Sequence, residues 1–355
     1  ANLAMASYEL DLFGRIRSLS DEALNQYFAT EEARKSARVT LIAETANLWL
    51  QLGADRTLLA FAKETLNSQE KSYKLSEASY KAGAINLLEL NQAKQMYASA
   101  QASYASSQRA VAQDMNALAL LVGTNVPEDL LPNKVEVVTL AGVLPQGVPS
   151  EVLLNRPDIA QAEYTLLAAN ADIGAARANF FPRITLVASG GTGSTELDDL
   201  FSGGTRLWSF APSISLPIFT GGANWATLRV SETQRDIAVA DYEKAIQTAF
   251  REVADALATE GTIERELKAT QDYADATKKA YELAQARYRH GSESFLTVLD
   301  SQRQYVSAQT QLAVAQQARA MSLVTLYKAL GGGAVDIEKS TDQKSESSVQ
   351  AKSEA

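Results

Sequence analysis

The chain has 355 residues, a formal net charge of −9 at pH 7, no cysteine and only 8 prolines. An acidic balance argues against a phosphate-backbone binder, which excludes nucleic acid as a partner, and the lack of cysteine excludes disulfides, thiolate metal sites and cysteine nucleophiles within this chain. No run of about 18 apolar residues occurs, so no transmembrane helix is encoded, whereas a membrane β-barrel gives a much weaker signal and stays open.

In chain order, Tyr8–Phe13 reads as a strand remnant ahead of Gly14, within a strand region at 6–13. From Gly14 to Tyr80, Leu41, Ile42, Leu48, Trp49, Leu52, Leu59 and Phe61 fall at helical spacing, and one continuous helix is expected. All the prolines lie between Pro127 and Pro217, which leaves both flanks free of helix breakers. Tyr80-Lys81-Ala82-Gly83 reads as a tight turn with glycine at a left-handed position, and a second helix is expected over 85–122. A linker at 124–156 precedes Asn155-Arg156-Pro157-Asp158, where Asn155 or Arg156 caps a helix that is expected to run to Phe181-Pro182.

Then the period changes. Arg183–Gly190 and Trp208–Ile218 alternate, with Trp208, Phe210, Pro212, Ile214, Leu216 and Ile218 against small or polar neighbours. Two half-buried strands are expected there within 183–219, each of a length that crosses a bilayer at barrel tilt. The loop from Gly190 to Thr205 is glycine-rich but lacks the Lys and helix of a phosphate loop. A long helix over 222–288, a turn at Tyr288-Arg289-His290-Gly291 and a helix over 293–330 follow, with a disordered tail after 332.

The second half repeats the first. Gly14, Gly53, Gly83 and Gly123 each have a twin 208 positions on, at Gly222, Gly261, Gly291 and Gly331, without a gap. Helical segments at 14–123, 157–182 and 220–331 thus form two αα-hairpins and one shorter helix. The second copy has about 90 residues of linker, helix and strands before its first glycine, and the first copy has no counterpart to them; the complete protein is expected to hold four strands per subunit. Three such subunits would give twelve strands, the smallest assembly with room for a pore.

Tyr8–Arg15, Asn155–Ile159, Ala175-Ala176-Arg177 through Pro182, Leu299–Arg303 and Tyr327–Gly333 together resemble the TolC family of outer-membrane efflux channels, most closely its OprM-type branch. The resemblance implies a mainly α protein with a small β part. Long antiparallel helical hairpins would form a periplasmic α-barrel, and three chains would share a transmembrane antiparallel β-barrel. It also implies a homotrimer in the outer membrane lipid, docked through a periplasmic membrane-fusion adaptor to an inner-membrane pump, with no cofactor, metal or catalytic residue. A lipid-bearing cysteine, which many relatives carry upstream, is absent, so lipid anchoring stays open.

Within that frame Asp300 and Arg303, i and i+3 neighbours on one helix face, are expected to constrict the periplasmic aperture, with Tyr288 and Glu89 as further gate contacts. Gly83, Leu88, Gly291 and Leu296 mark equivalent hairpin tips, where an adaptor would meet a pseudo-sixfold surface. Phe13, Phe180, Phe181 and Phe219 at strand–helix junctions, and Trp208 toward the opposite strand end, are expected at the membrane interfaces. His290, the only histidine, adjoins a turn and is expected to be merely exposed. Two rival readings are a type I protein-secretion channel and a soluble coiled-coil scaffold; the alternating strand at Trp208–Ile218 disfavours the second.

Overall fold

A computed structural model describes residues 2–134, 156–193, 203 and 206–332. Most of the linker, the loop beyond Gly193 and the tail lie outside the described residues, as does Asn155. Nine residues form β1 (Asn2–Leu10), followed by α1 (Arg15–Lys81) and α2 (Leu87–Val122). After a single 3-10 turn at Glu128–Leu130 come α3 (Pro157–Ala178), β2 (Arg183–Thr192), β3 (Arg206–Ser215), α4 (Ala223–Arg289) and α5 (Phe295–Ala329). Tertiary packing divides the chain into one unit of residues 1–36 and 153–249 and another of 37–152 and 250–355.

The duplication survives in three dimensions. Both ends of α4 lie 208 residues beyond those of α1, and α5 starts 208 beyond α2. Backbone chemistry fixes these ends. Gly83 and Gly291 adopt φ of +75° and +71°, a region that costs other L-residues about 1 to 2 kcal/mol. Each closes a Schellman motif: Ala84 N donates to Ser79 O and Ser292 N to Arg287 O, at 2.9 and 3.0 Å.

The sheet has order β1-β2-β3 and is antiparallel throughout. Ile184, Leu186, Ala188 and Gly190 pair with Ile214, Pro212, Phe210 and Trp208, so these positions of β2 and β3 share one largely apolar face, while the other face mixes Thr185, Ser189, Ser209 and Ser213 with Val187, Leu207 and Ala211. On the other face Ser189 and Ser209 join hydroxyls at 2.9 Å. A register shift between Met5 and Tyr8 keeps Leu3 and Met5 opposite Gly190 and Ala188.

Several expected boundaries shift. The first strand ends at Leu10, not residue 13, because β2 pairs it only as far as Ile184. That frees Asp11, whose two carboxylate oxygens accept from the backbone N–H of Ile16 and Arg17 at 3.2 and 3.0 Å and so cap α1. The last strand ends at Ser215, not Ile218, since its partner begins at Arg183 behind Pro182 and Pro217 has no N–H to give. The α3 helix stops at Ala178 rather than 182; Pro182 disfavours helical backbone at Phe181, and Phe180 and Phe181 close tight i→i−3 bonds instead. The expectation of a half-buried β3 is also corrected: it is exposed along its full length, because no described residue of its own chain covers either face.

Helix packing is built on small residues. In the first unit α3 buries Ala168, Ile173, Ala175, Ala176 and Ala178, and Gly174 lets α1 approach so closely that a Cβ there would meet Ser18 Oγ at 2.5 Å. In the second, Ala43 and Leu50 of α1 pack with Ala320 and Val324 of α5, while Leu52 meets Leu118 of α2 and Leu131. Ala274 of α4 packs with Ala308 and Leu312 of α5.

Candidate functional site

The two hairpin tips are built alike but held differently. Asn86 caps α2 by accepting from Glu89 N at 3.0 Å, and its own amide donates to Glu89 Oε1 at 3.2 Å, a reciprocal capping box. Glu89 therefore has a structural task in its own helix. Ser294, the counterpart of Asn86, caps α5 through Thr297 N, and Thr297 Oγ1 in turn donates to Glu293 Oε1 at 3.1 Å. Leu88 and Leu296 stand outward at 66% and 64% exposure, so equivalent apolar side chains project from both tips.

Tyr288 packs against Phe295 with ring centroids 5.3 Å apart. Burial, and then the nearby Glu89 carboxylate, push its hydroxyl pKa up. The structure thus brings Tyr288 and Glu89, one from each hairpin, into electrostatic range of each other. Asp300 and Arg303 do not pair with one another. Asp300 Oδ2 accepts from Gln304 Nε2 at 2.8 Å, while Arg303 borders a groove of about 450 Å³ with Phe61, Met96 and Gln302 and has no ion pair among the described residues.

Farther along the hairpins lies a feature that sequence inspection missed. Tyr73 stacks on Tyr97 at 5.7 Å and Tyr281 on Tyr305 at 5.9 Å, positions related by the same 208-residue offset. The matched tyrosines were the available signal. Among the described residues only the second pair has an aromatic partner from the other hairpin, Phe61, edge-on to Tyr305 at 5.6 Å.

At the strand–helix junctions Phe13 stacks on Phe181 at 4.7 Å, and Phe180 meets Trp225 edge-on at 5.1 Å. Phe219 is 90% exposed in the segment between β3 and α4, and Trp208, third residue of β3, is 81% exposed. Glu9 binds Arg15 through both carboxylate oxygens and faces Arg183 at 3.6 Å, tying β1, α1 and β2 together. Among the described residues no helix is long and apolar enough to cross a membrane, and no cluster of three or more His, Cys, Asp or Glu side chains could hold a metal ion.

A sheet with one largely apolar face and one face carrying paired serines, joined in the same chain to duplicated long-helix hairpins, fits the class of outer-membrane channel proteins. The outer membrane efflux protein family matches residues 2–124 and 148–332, and the chain belongs to that family. It is 50% identical over 329 residues to the solvent efflux pump outer membrane protein SrpC of Pseudomonas putida, covering 93% of this chain and 70% of that protein. A solved membrane protein from Pseudomonas aeruginosa superposes with a TM-score of 0.85 at 45% identity, over 93% of this chain and 74% of the other. The open state of the Neisseria gonorrhoeae MtrE outer membrane channel gives 0.81 at 42%, over 94% and 75%. This chain is accordingly an outer-membrane efflux protein of the TolC type.

Proposed function

We infer that the protein is a passive export duct: a homotrimer whose strands form a shared barrel in outer-membrane lipid and whose hairpins meet a periplasmic adaptor, itself bound to an inner-membrane pump. Energy comes from the pump, and the duct performs no catalysis. The observation that carries this reading is the division of the sheet, with Ile214 and Trp208 exposed on the apolar face and Ser189 and Ser209 on the polar one. Lipid outside and water inside would satisfy both faces at once. Cargo is drugs and other small molecules; the solvent named for the Pseudomonas putida relative supports an apolar range. Deleting the gene from its host should sensitise cells to antibiotics, detergents and solvents, whereas loss of one secreted polypeptide with unchanged sensitivity would point to protein secretion instead.

The gate is assigned to the hairpins. Among the described residues Asp300 is held only by Gln304 and Arg303 by no charge, which supports a role for both toward another copy. Tyr288 and Glu89 bring the two hairpins of one subunit within electrostatic range of each other, and the tips at Gly83, Leu88, Gly291 and Leu296 are proposed as the adaptor surface. Phe13, Phe180, Phe181, Phe219 and Trp208 are assigned to the membrane interfaces. Replacing Asp300 and Arg303 together by alanine should raise single-channel conductance in planar bilayers, and an unchanged conductance removes them from the gate.

A further inference from the structure

The gate and the membrane face leave one polar cluster without a use. Asp114 of α2 is only 6% exposed and faces α1. Gln51 Nε2 donates to its Oδ1 at 3.1 Å, but its Oδ2, fully buried, receives no hydrogen bond. Within hydrogen-bonding reach stands a second carboxyl, Asp55, one turn along α1 from Gln51. Leu52, beside Gln51 in sequence, and Leu118, one turn on from Asp114, belong to one buried cluster with Leu131. A carboxylate with one oxygen buried and undonated costs on the order of a few kcal/mol, or the group takes up a proton instead.

Among the described residues no cation pairs with either carboxyl. Arg56, next in sequence to Asp55, is turned away: its Nη2 binds Glu128 at 2.6 Å and its Nη1 the Pro132 carbonyl at 3.4 Å. Glu44, at the rim of the groove that includes Gln51, adds negative charge. On α5, the helix packed on the other side of α1, Arg319 is committed to Glu260 and Glu264 of α4.

The duplication supplies an internal control. The positions 208 residues beyond Gln51, Asp55 and Asp114 are Thr259, Ile263 and Ser322. Ile263 and Ser322 are buried at 4% and 6% exposure, and Ser322 Oγ donates to Glu260 Oε2 at 3.2 Å, a carboxylate that faces Arg319, so the same helix pair closes in the second hairpin with one cation-paired carboxylate in place of two facing carboxyls. Packing alone does not require Asp55 and Asp114.

We propose that Asp55 and Asp114 share one proton across the α1–α2 interface and so form an acid-closed latch in the first hairpin, next to the segment that leaves α2. With the proton present, a carboxyl donates to a carboxylate and every buried oxygen is served; without it, two like charges face each other between the helices. Burial, and then Asp55, raise the Asp114 pKa to about 7. Its folded value therefore exceeds its unfolded one, near the ordinary 3.8. Stability from the latch is complete below the unfolded value, declines as pH rises, and is gone above the folded value. Acid tightens the first hairpin and leaves the second unaffected.

Amide hydrogen exchange on the intact protein in detergent tests this, between about pH 5 and pH 8 and after correction for intrinsic exchange rates. Protection of amides around Asp55 and Asp114 should fall by up to about tenfold per pH unit up to about pH 7, while those around Ile263 and Ser322 show no such slope. Asp114→Asn should flatten the slope. So should Asp55→Ile combined with Asp114→Ser, which installs the residues of the second hairpin and keeps the fold testable if the single variant is unstable. A slope that persists in both variants, or an equal slope at Ser322, overturns the latch. Protection restored at the alkaline end by magnesium or calcium chloride, in place of protons, overturns it in favour of a metal site.

Discussion

Gly83 and Gly291 do at the residue scale what no other residue does at low cost. Both sit at φ above +70° with open space around an added Cβ, so the penalty for a side chain is purely conformational. Gly83→Ala and Gly291→Ala should each destabilise a hairpin by about 1 kcal/mol, read as a lowered melting temperature with adaptor contacts absent. Gly261 behaves oppositely. It lies inside α4 with a helical φ, and nothing stands within 4 Å of an added Cβ. Gly261→Ala should stabilise by about 0.5 to 1 kcal/mol, and a destabilisation instead would mean that another copy packs on that spot. Gly53, its twin, is buried on α1 and offers no such freedom.

Among the elements, the two long helices were legible because glycine punctuation and an apolar period of 3.6 agree; α1 and α4 start one residue after Gly14 and Gly222. What was not legible depends on a partner elsewhere in the chain. The end of β1 is set by how far β2 extends, and only then does Asp11 become a helix cap. Position 219 in the second copy is phenylalanine, so α4 begins without that carboxylate. Asp11→Ala should cost about 1 kcal/mol and fray the first turn of α1 alone, which amide exchange at Ile16 and Arg17 would register. The Asp55–Asp114 pair was hidden for a related reason: a polar seam at helical spacing reads as a solvated face until another helix is known to cover it. The proposed gate residues were named through family resemblance, and their periodicity alone would have assigned Asp300 and Arg303 to a surface ion pair that they do not form.

For the whole molecule the decisive question is which environment each sheet face meets, and accessibility in a single chain does not answer it, since β3 is exposed at every residue. Alternation does. Phe210 shares a face with Ala188 and Ile214, whereas Ser209, its neighbour, reaches across to Ser189 on the opposite face. Phe210→Lys would set a charge against hydrocarbon near the middle of the strand, a substitution that costs about 2 to 4 kcal/mol at a bilayer midplane. Ser209→Lys would set the same charge in water. The first should reduce assembled trimer in outer-membrane fractions, and the second should leave assembly intact but shift ion selectivity in planar bilayers toward anions. Equal loss of assembly from both would mean that each face packs against protein. The reverse pattern would turn the barrel inside out and overturn the assignment of its lumen.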